Sequence, residues 1–285
     1  MKKIALLASI IFIYSIKMAA LPAGNKYPFE VIITGQGDQP ILFIPGFGCS
    51  GEVWNDTKKL YENKYKCYGL TMPGFAGVPP TANPSFQQWV NEIAAYIKHL
   101  KINKPVLVGH SMGGAMAMAI AAQYPELVSK VVVVDALPCL AALMDPSFKS
   151  NENIDCSAMI AQMTAASDEQ FYQMQKQSIK QLVADTSKQA AIINWTTRSD
   201  KNTFGKMFCD FSNTDLRNSI NSIQCPVLIL LEPYFAGIQG AINDQYKNLK
   251  TATILYATKG LHFIMFDDKT WYEEQLNNFV NKQGK

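Results

Sequence analysis

Ser111 is the residue from which chemistry can be built in this sequence. It stands in Gly109-His110-Ser111-Met112-Gly113, directly after the apolar run Val106-Leu107-Val108 and directly before a small-residue stretch containing Ala115, Ala117, Ala119, Ala121 and Ala122. The run reads as a buried strand and the alanines as the start of a helix. Gly-x-Ser-x-Gly between a strand and a helix is the spacing of a nucleophile elbow. Turning from strand to helix within about one residue forces the serine into a strained backbone conformation. Glycines on either side leave room for neighbouring backbone. The hydroxyl is lifted off the sheet, and the amide of Met112, at a helix start, can face a developing oxyanion. The same pattern also arises by chance as plain punctuation between two elements. The flanking strand and helix are what favour the chemical reading.

A serine hydroxyl is a poor nucleophile without a base. Three histidines are present. His99 falls near the end of a helical stretch, where the helix dipole favours it for structural reasons. His110 adjoins the serine and should point elsewhere from the elbow. His262 follows the last strand-like run in Gly260-Leu261-His262-Phe263, so it can hang over the sheet edge that carries Ser111. His262 is therefore the expected base. The base needs an orienting carboxylate, and here alternatives remain. Asp135 ends the run Val131-Val132-Val133-Val134, and Glu232 ends Val227-Leu228-Ile229-Leu230-Leu231. Asp135 is preferred because a short side chain at a clean strand end is held rigidly. Glu232 is the alternative, with another acid such as Asp244 behind it. A bland role for Asp135, capping the segment that follows it, stays open. Pro45-Gly46-Phe47-Gly48 leaves the apolar run 41–44 and can bring backbone close to a ligand, which makes the amide of Phe47 the candidate second oxyanion donor.

The elements needed to hold these groups are legible as buried runs near 29–34, 41–44, 68–72, 106–108, 131–134, 227–231 and 252–257, alternating with helical patterns. Continuous apolar strands separated by helices imply a mostly parallel sheet covered on both faces. Phe86, Trp89, Val90, Ile93, Ala94, Ile97 and Leu100 recur at helical spacing and are expected core. Residues 138–222 break this rhythm. They contain no strand-like run, and helices are expected at 154–165, 168–184 and 188–195, with Ser167 as an N-cap. Such an insertion would stand over the carboxyl ends of the strands, where these sheets bind ligands. Its methionines and aromatics would either line an adaptable apolar pocket or pack on themselves.

Composition restricts the partners. The formal charge is +3, and Lys2, Lys3 and Lys17 account for the excess. Residues 1–20 read as a secretory leader: two lysines, a short apolar run from Ile4 to Ile16, then Ala19-Ala20. The run is too short for a convincing membrane span. The chain behind it is close to neutral, which removes any electrostatic case for nucleic acid. Export, to a periplasm or the medium, is the expectation. Six cysteines then permit disulfides. Pairing of sequence neighbours, Cys49 with Cys67, Cys139 with Cys156 and Cys209 with Cys225, is the simplest guess among fifteen connectivities. Their scatter and the scarcity of histidine disfavour zinc.

Taken together, Pro45-Gly46-Phe47-Gly48, Pro73-Gly74-Phe75, Gly109-His110-Ser111-Met112-Gly113-Gly114 and Gly260-Leu261-His262-Phe263 resemble the α/β-hydrolase fold superfamily, in its serine-nucleophile members with a helical cap. The resemblance covers essentially the whole chain behind the leader. It implies a mostly parallel sheet of about eight strands with helices on both faces, a core split as 21–137 and 223–285, and a cap at 138–222. It implies Ser111 as nucleophile, His262 as base and the Phe47 and Met112 amides as oxyanion hole. Two motifs depart from the usual pattern: Pro45-Gly46 replaces His-Gly, and Thr71-Met72-Pro73-Gly74 replaces Asp-x-Pro-Gly. The usual acid after the penultimate strand is also missing, since the chain there reads Glu232-Pro233-Tyr234-Phe235. Some members place the acid one strand earlier, where Asp135 stands. The implied activity is hydrolysis of an ester-type bond in a small, apolar or uncharged substrate through an acyl-enzyme, without metal or organic cofactor. Lactone or carbon–carbon bond hydrolysis and cofactor-free perhydrolysis use the same groups. A catalytically silent binding protein on the same fold is the reading from a different class.

Overall fold

The computed structural model describes residues 27–282; the expected leader lies outside the described residues. Seven strands form one sheet: β1 Glu30–Thr34, β2 Gln39–Ile44, β3 Tyr65–Thr71, β4 Val106–His110, β5 Lys130–Val134, β6 Val227–Leu231 and β7 Ala252–Tyr256. Their spatial order is β1-β3-β2-β4-β5-β6-β7. Only β1 runs antiparallel to its neighbour; every other pairing is parallel. Among the described residues the sheet thus has seven strands, in line with the mostly parallel sheet of about eight that the resemblance implies. Strand β3 also begins three residues before the expected start, because Tyr65 and Cys67 bury their side chains as part of it.

Eleven α-helices complete the described chain. Before β5 stand α1 Asn55–Lys59, α2 Phe86–His99 and α3 Met112–Gln123; between β5 and β6 stand α4 Ser157–Ala165, α5 Asp168–Leu182, α6 Thr186–Thr197 and α7 Lys201–Ser212; after β6 stand α8 Pro233–Ala236, α9 Gln239–Tyr246, α10 Ile264–Asp267 and α11 Lys269–Val280. Alternation along the strands divides the core into two layers. Leu42, Ile44, Leu107, Val131 and Val133 point to the face covered by α2 and α3. Ile41, Phe43, Val108, Val132 and Val134 point to the face that carries Trp54 and the α11 residues Tyr272 and Leu276. Both faces are thus apolar and covered, as the uninterrupted runs require. No helix among the described residues is long and apolar enough to cross a membrane.

The strand order reverses between β2 and β4, because β3 lies on one side of β2 and β4 on the other. Crevices at such switch points, beyond the carboxyl ends of the strands, are where open α/β sheets bind ligands. Here those ends are Ile44 and His110, which lead directly into Gly46-Phe47 and Ser111.

The stretch between β5 and β6 is helical, but it holds a helix that the sequence did not announce. Residues 201–212 include Thr203, Gly205, Cys209 and Ser212, all poor helix formers. Tertiary packing forms α7 instead. Asp200 caps it by accepting from the Thr203 amide at 2.8 Å. A side chain at Gly205 would meet Ile160 Cα at 2.9 Å, so glycine lets α7 lie close on α4. The cysteine pairing follows this packing rather than sequence proximity. Cys156 bonds to Cys209, with Cα atoms 5.7 Å apart, while Cys49, Cys67, Cys139 and Cys225 are free. The expected neighbour pairings are therefore wrong: α4 and α7 are adjacent in space though 53 residues separate the two thiols. Two further helices in this stretch start with side-chain caps. Ser167 and Gln170 form a reciprocal capping box on α5, and Asp185 accepts from the Ser187 amide on α6.

Candidate active site

Ser111 occupies the turn between β4 and α3 at φ 54° and ψ −125°, a region that side chains avoid at a cost of about 1–3 kcal/mol. The surroundings hold it there. Its amide donates to Val134 O at 2.9 Å, and its carbonyl accepts from the Gly114 and Ala115 amides at 2.8 and 3.1 Å. The flanking glycines are steric necessities. A Cβ at Gly109 would lie 2.2 Å from Gly113 O, and one at Gly113 would lie 2.3 Å from Ile44 O. The turn therefore closes only with glycine at both positions.

Asp135, the residue after β5, also has a positive φ of 49°. Its amide donates to Leu230 O at 2.8 Å. Its side chain is fully buried, yet both oxygens are engaged. Oδ1 accepts from the Glu232 amide at 2.7 Å, and Oδ2 lies 2.6 Å from Nδ1 of His262. A buried carboxylate is tolerable only with such partners. Of the acids considered, the structure brings Asp135 to the imidazole. Glu232 contributes its backbone to that arrangement, and its side chain lines the same cavity. Asp244 lies exposed on α9 and does not line the cavity.

His262 sits in the loop between β7 and α10, and that loop is fastened along its length. Asp267 accepts from the amides of Leu261, Ala184 and Asp185 at 2.9, 3.0 and 2.8 Å. Asp268 accepts from the amide and hydroxyl of Thr258 at 2.9 and 2.7 Å. The Phe263 amide donates to Leu182 O at 3.2 Å. The His262 imidazole is thereby tied both to the sheet and to the α5–α6 corner.

His110 does not simply point away. It is buried, with Nε2 3.0 Å from the carbonyl oxygen of His262. A carbonyl only accepts, so Nε2 carries the proton. Burial first, and then the nearby His262, hold the His110 pKa well below its ordinary value against the opposing pull of that hydrogen bond. His110 is therefore a neutral ring that braces the backbone of His262. Its Nδ1 has no partner among the described residues, and a Cβ at Gly46 would approach it to 2.7 Å. Sequence reasoning missed this brace; the only available signal was a histidine beside the elbow serine. His99 lies elsewhere, bonded to the Tyr27 hydroxyl at 2.7 Å.

The amides of Phe47 and Met112 donate to no group among the described residues. Met112 opens α3, where helix amides are unpaired by construction. Ser111, His262, Asp135, Glu232 and Phe47 line one cavity of about 630 Å³, whose remaining wall is largely built by α4 to α7. Glu232 is half-buried there. Burial, reinforced by the negative charge of Asp135, pushes its pKa up to about 7, against the pull of His262. Among the described residues no group of three or more His, Cys, Asp or Glu is placed to hold a metal ion.

Residues 39–236 match the family model for the alpha/beta hydrolase fold. The chain belongs to the α/β-hydrolase fold family. That match ends before β7, so the placement of His262 comes from the structure itself. Among curated relatives of this α/β-hydrolase is the pimeloyl-[acyl-carrier protein] methyl ester esterase of Wigglesworthia glossinidia brevipalpis, 24% identical over 203 residues, covering 70% of this chain and 76% of the relative. Among solved structures, the enol-lactonase of Burkholderia xenovorans superposes with a TM-score of 0.74 at 13% identity, covering 89% of this chain and 96% of the other. An esterase from Exiguobacterium antarcticum superposes with a TM-score of 0.72 at 18% identity, covering 89% and 96%. These structural likenesses establish the shared fold.

Proposed function

We propose that this α/β-hydrolase is a serine-dependent carboxylic ester hydrolase acting on a small, uncharged and largely apolar ester. The observation that carries the reading is the 2.6 Å contact between Asp135 Oδ2 and His262 Nδ1, in the cavity that also holds the strained Ser111. Asp135 occupies Nδ1, which leaves Nε2 of His262 free to take the Ser111 proton. Ser111 Oγ then attacks the ester carbonyl, and the Phe47 and Met112 amides receive the negative charge that develops on its oxygen. The imidazolium is stabilised by Asp135 and returns the proton to the departing alcohol. Water, deprotonated by the same ring, releases the acid from the acyl-enzyme. His110, kept neutral, adds no charge beside this relay.

Relatives named as esterases, the methyl ester esterase among them, support an ester bond. A serine held at a strained φ, in one cavity with an imidazole oriented by Asp135, favours an enzyme over the silent reading. Residues 138–222 act as a cap over the strand ends, a reading supported by the share of the cavity wall that α4 to α7 supply. Residues 1–20 act as a leader for export; the Cys156–Cys209 bond accords with an oxidising compartment. A series of p-nitrophenyl esters of increasing acyl length tests the activity. Hydrolysis that disappears in Ser111→Ala is expected. Hydrolysis that persists in that variant rules out the serine mechanism.

A further inference from the structure

The cavity wall contains one side chain that an all-alkyl pocket would not need. Gln175 lies on α5, is only 6% exposed, and faces the cavity, yet its amide makes no hydrogen bond among the described residues. The other buried glutamine shows what the fold ordinarily does with this group. Gln245 is 4% exposed, and both ends of its amide are used: Oε1 accepts from the Cys139 amide at 3.1 Å and Nε2 donates to the Cys139 carbonyl at 2.7 Å. Thr196, also buried on the cavity wall, spends its hydroxyl on Ile192 O and Ile193 O. Gln175 alone among these three is left with both donor and acceptor open to the cavity. Its polar atoms are not sealed in the core, so they are served by whatever fills the cavity, water or a ligand group. The neighbouring wall positions Met163, Met174, Ile179 and Leu182 show that apolar side chains fit there.

The rest of the wall defines the kind of partner that fits. Gln162 on α4 and Ser178, one turn beyond Gln175 on α5, also line the cavity and make no side-chain hydrogen bond among the described residues. All three are uncharged. The ionisable lining groups other than free Cys49 are Asp135, Glu232, His262 and His110, all in or beside the Asp135–His262 arrangement. A charged group on the ligand would find no countercharge near Gln175, whereas a hydroxyl, ketone or second ester oxygen would find an amide. Aromatic contacts link this wall to the oxyanion loop: Phe171, one turn before Gln175, packs on Phe204 at 5.2 Å, and Phe204 packs on Phe47 at 4.4 Å.

We propose that Gln175 is the recognition residue of a subsite for an uncharged oxygen within the otherwise apolar part of the ester, so that the preferred substrates are oxygenated esters rather than plain alkyl esters. The inference rests on the ester reading above and deepens it. Gln175 can donate through Nε2 and accept through Oε1, so ketones and hydroxyls are both served. The polar partner lets the site discriminate, because an alkyl isostere would leave the amide buried and unpaired.

Binding separates this inference from the activity it builds on. The probes are p-nitrophenyl acyl esters with a ketone at the fifth to ninth acyl carbon, each paired with its isostere carrying a methyl branch there. A second series carries the ketone in the alcohol. Affinities are measured by calorimetry on the intact chain bearing Ser111→Ala, which does not turn them over on this account. At one or more ketone positions the oxo ester is expected to bind roughly fivefold to tenfold more tightly than its isostere, the worth of about one neutral hydrogen bond. Adding Gln175→Leu, or Gln175→Met if the first variant folds poorly, should reverse that preference. Equal binding of every pair, or a preference that survives both substitutions, overturns the subsite. Turnover of the same esters by the wild-type chain is read separately. Discrimination in binding without turnover would contradict ester hydrolysis while upholding the subsite, and turnover without discrimination would do the opposite.

Discussion

Asp135 and His262 meet across 127 positions of the chain, with Oδ2 2.6 Å from Nδ1, while the other oxygen of Asp135 takes the Glu232 amide. The carboxylate is thus fixed at both oxygens and can hold the imidazole in one tautomer. Asp135→Asn is expected to lower kcat on p-nitrophenyl esters by roughly 10³–10⁴-fold, as loss of the orienting acid does in serine proteases. Glu232→Gln keeps the backbone amide that Asp135 uses, and should change kcat by less than about tenfold. A larger loss in Glu232→Gln than in Asp135→Asn would transfer the orienting role to Glu232.

Strain at Ser111 should be measurable as stability. Its φ of 54° and ψ of −125° cost about 1–3 kcal/mol for a residue with a Cβ. Glycine escapes that cost but brings about 0.5–1 kcal/mol of extra chain entropy to the unfolded state. Ser111→Gly is therefore predicted to be more stable than Ser111→Ala by about 1 kcal/mol in denaturant unfolding. Equal stability of the two variants would mean that the elbow stores no strain.

Glu232 gives a pH dependence with a definite sign. Its pKa in the folded chain is about 7, raised by burial from an ordinary value of 4.5. Below about pH 4.5 the carboxyl is protonated in both folded and unfolded chains and contributes nothing. Between about 4.5 and 7 the unfolded chain ionises first, so the folded chain loses relative stability, and above 7 the loss is constant. Glu232→Gln should raise Tm more at pH 8 than at pH 4.5. A gain of the same size at both values would contradict the raised pKa.

The Cys156–Cys209 bond closes a long loop that includes α4 to α6 and most of α7. In the chain-entropy treatment a loop of 53 residues corresponds to about 4 kcal/mol of stabilisation. Cys156→Ser with Cys209→Ser, or reduction of the wild-type chain, should lower Tm accordingly. Ester hydrolysis should fall as well, because α4 and α7 supply Met159, Met163, Phe204 and Phe208 to the cavity. Unchanged Tm after complete reduction would show that the bond does not constrain these helices.

The elbow and the central strands were readable because their signals are local. Gly109 and Gly113 have steric reasons within a few residues of Ser111, and the apolar strands are buried on both faces. The choice of His262 was also accessible, since only one histidine follows the last strand. The choice between Asp135 and Glu232 was harder, because both end strands at the same edge. What separates them is the positive φ of Asp135 and the direction of two side chains, neither of which a sequence displays. Helix α7 and the cysteine pairing were illegible for a related reason: both follow from the close approach of α4 and α7 at Gly205. The brace from His110 to His262 likewise depends on a contact 152 positions apart, with no periodicity to announce it.

The central claim is that Ser111 is a nucleophile armed by His262. Labelling with a fluorophosphonate, followed by mass mapping of the modified peptide, tests it most directly and needs no knowledge of the substrate. The account predicts stoichiometric modification at Ser111, none in Ser111→Ala, and labelling slowed by at least 10³-fold in His262→Ala. Failure of the folded wild-type chain to react, or equal labelling rates with and without His262, would contradict it.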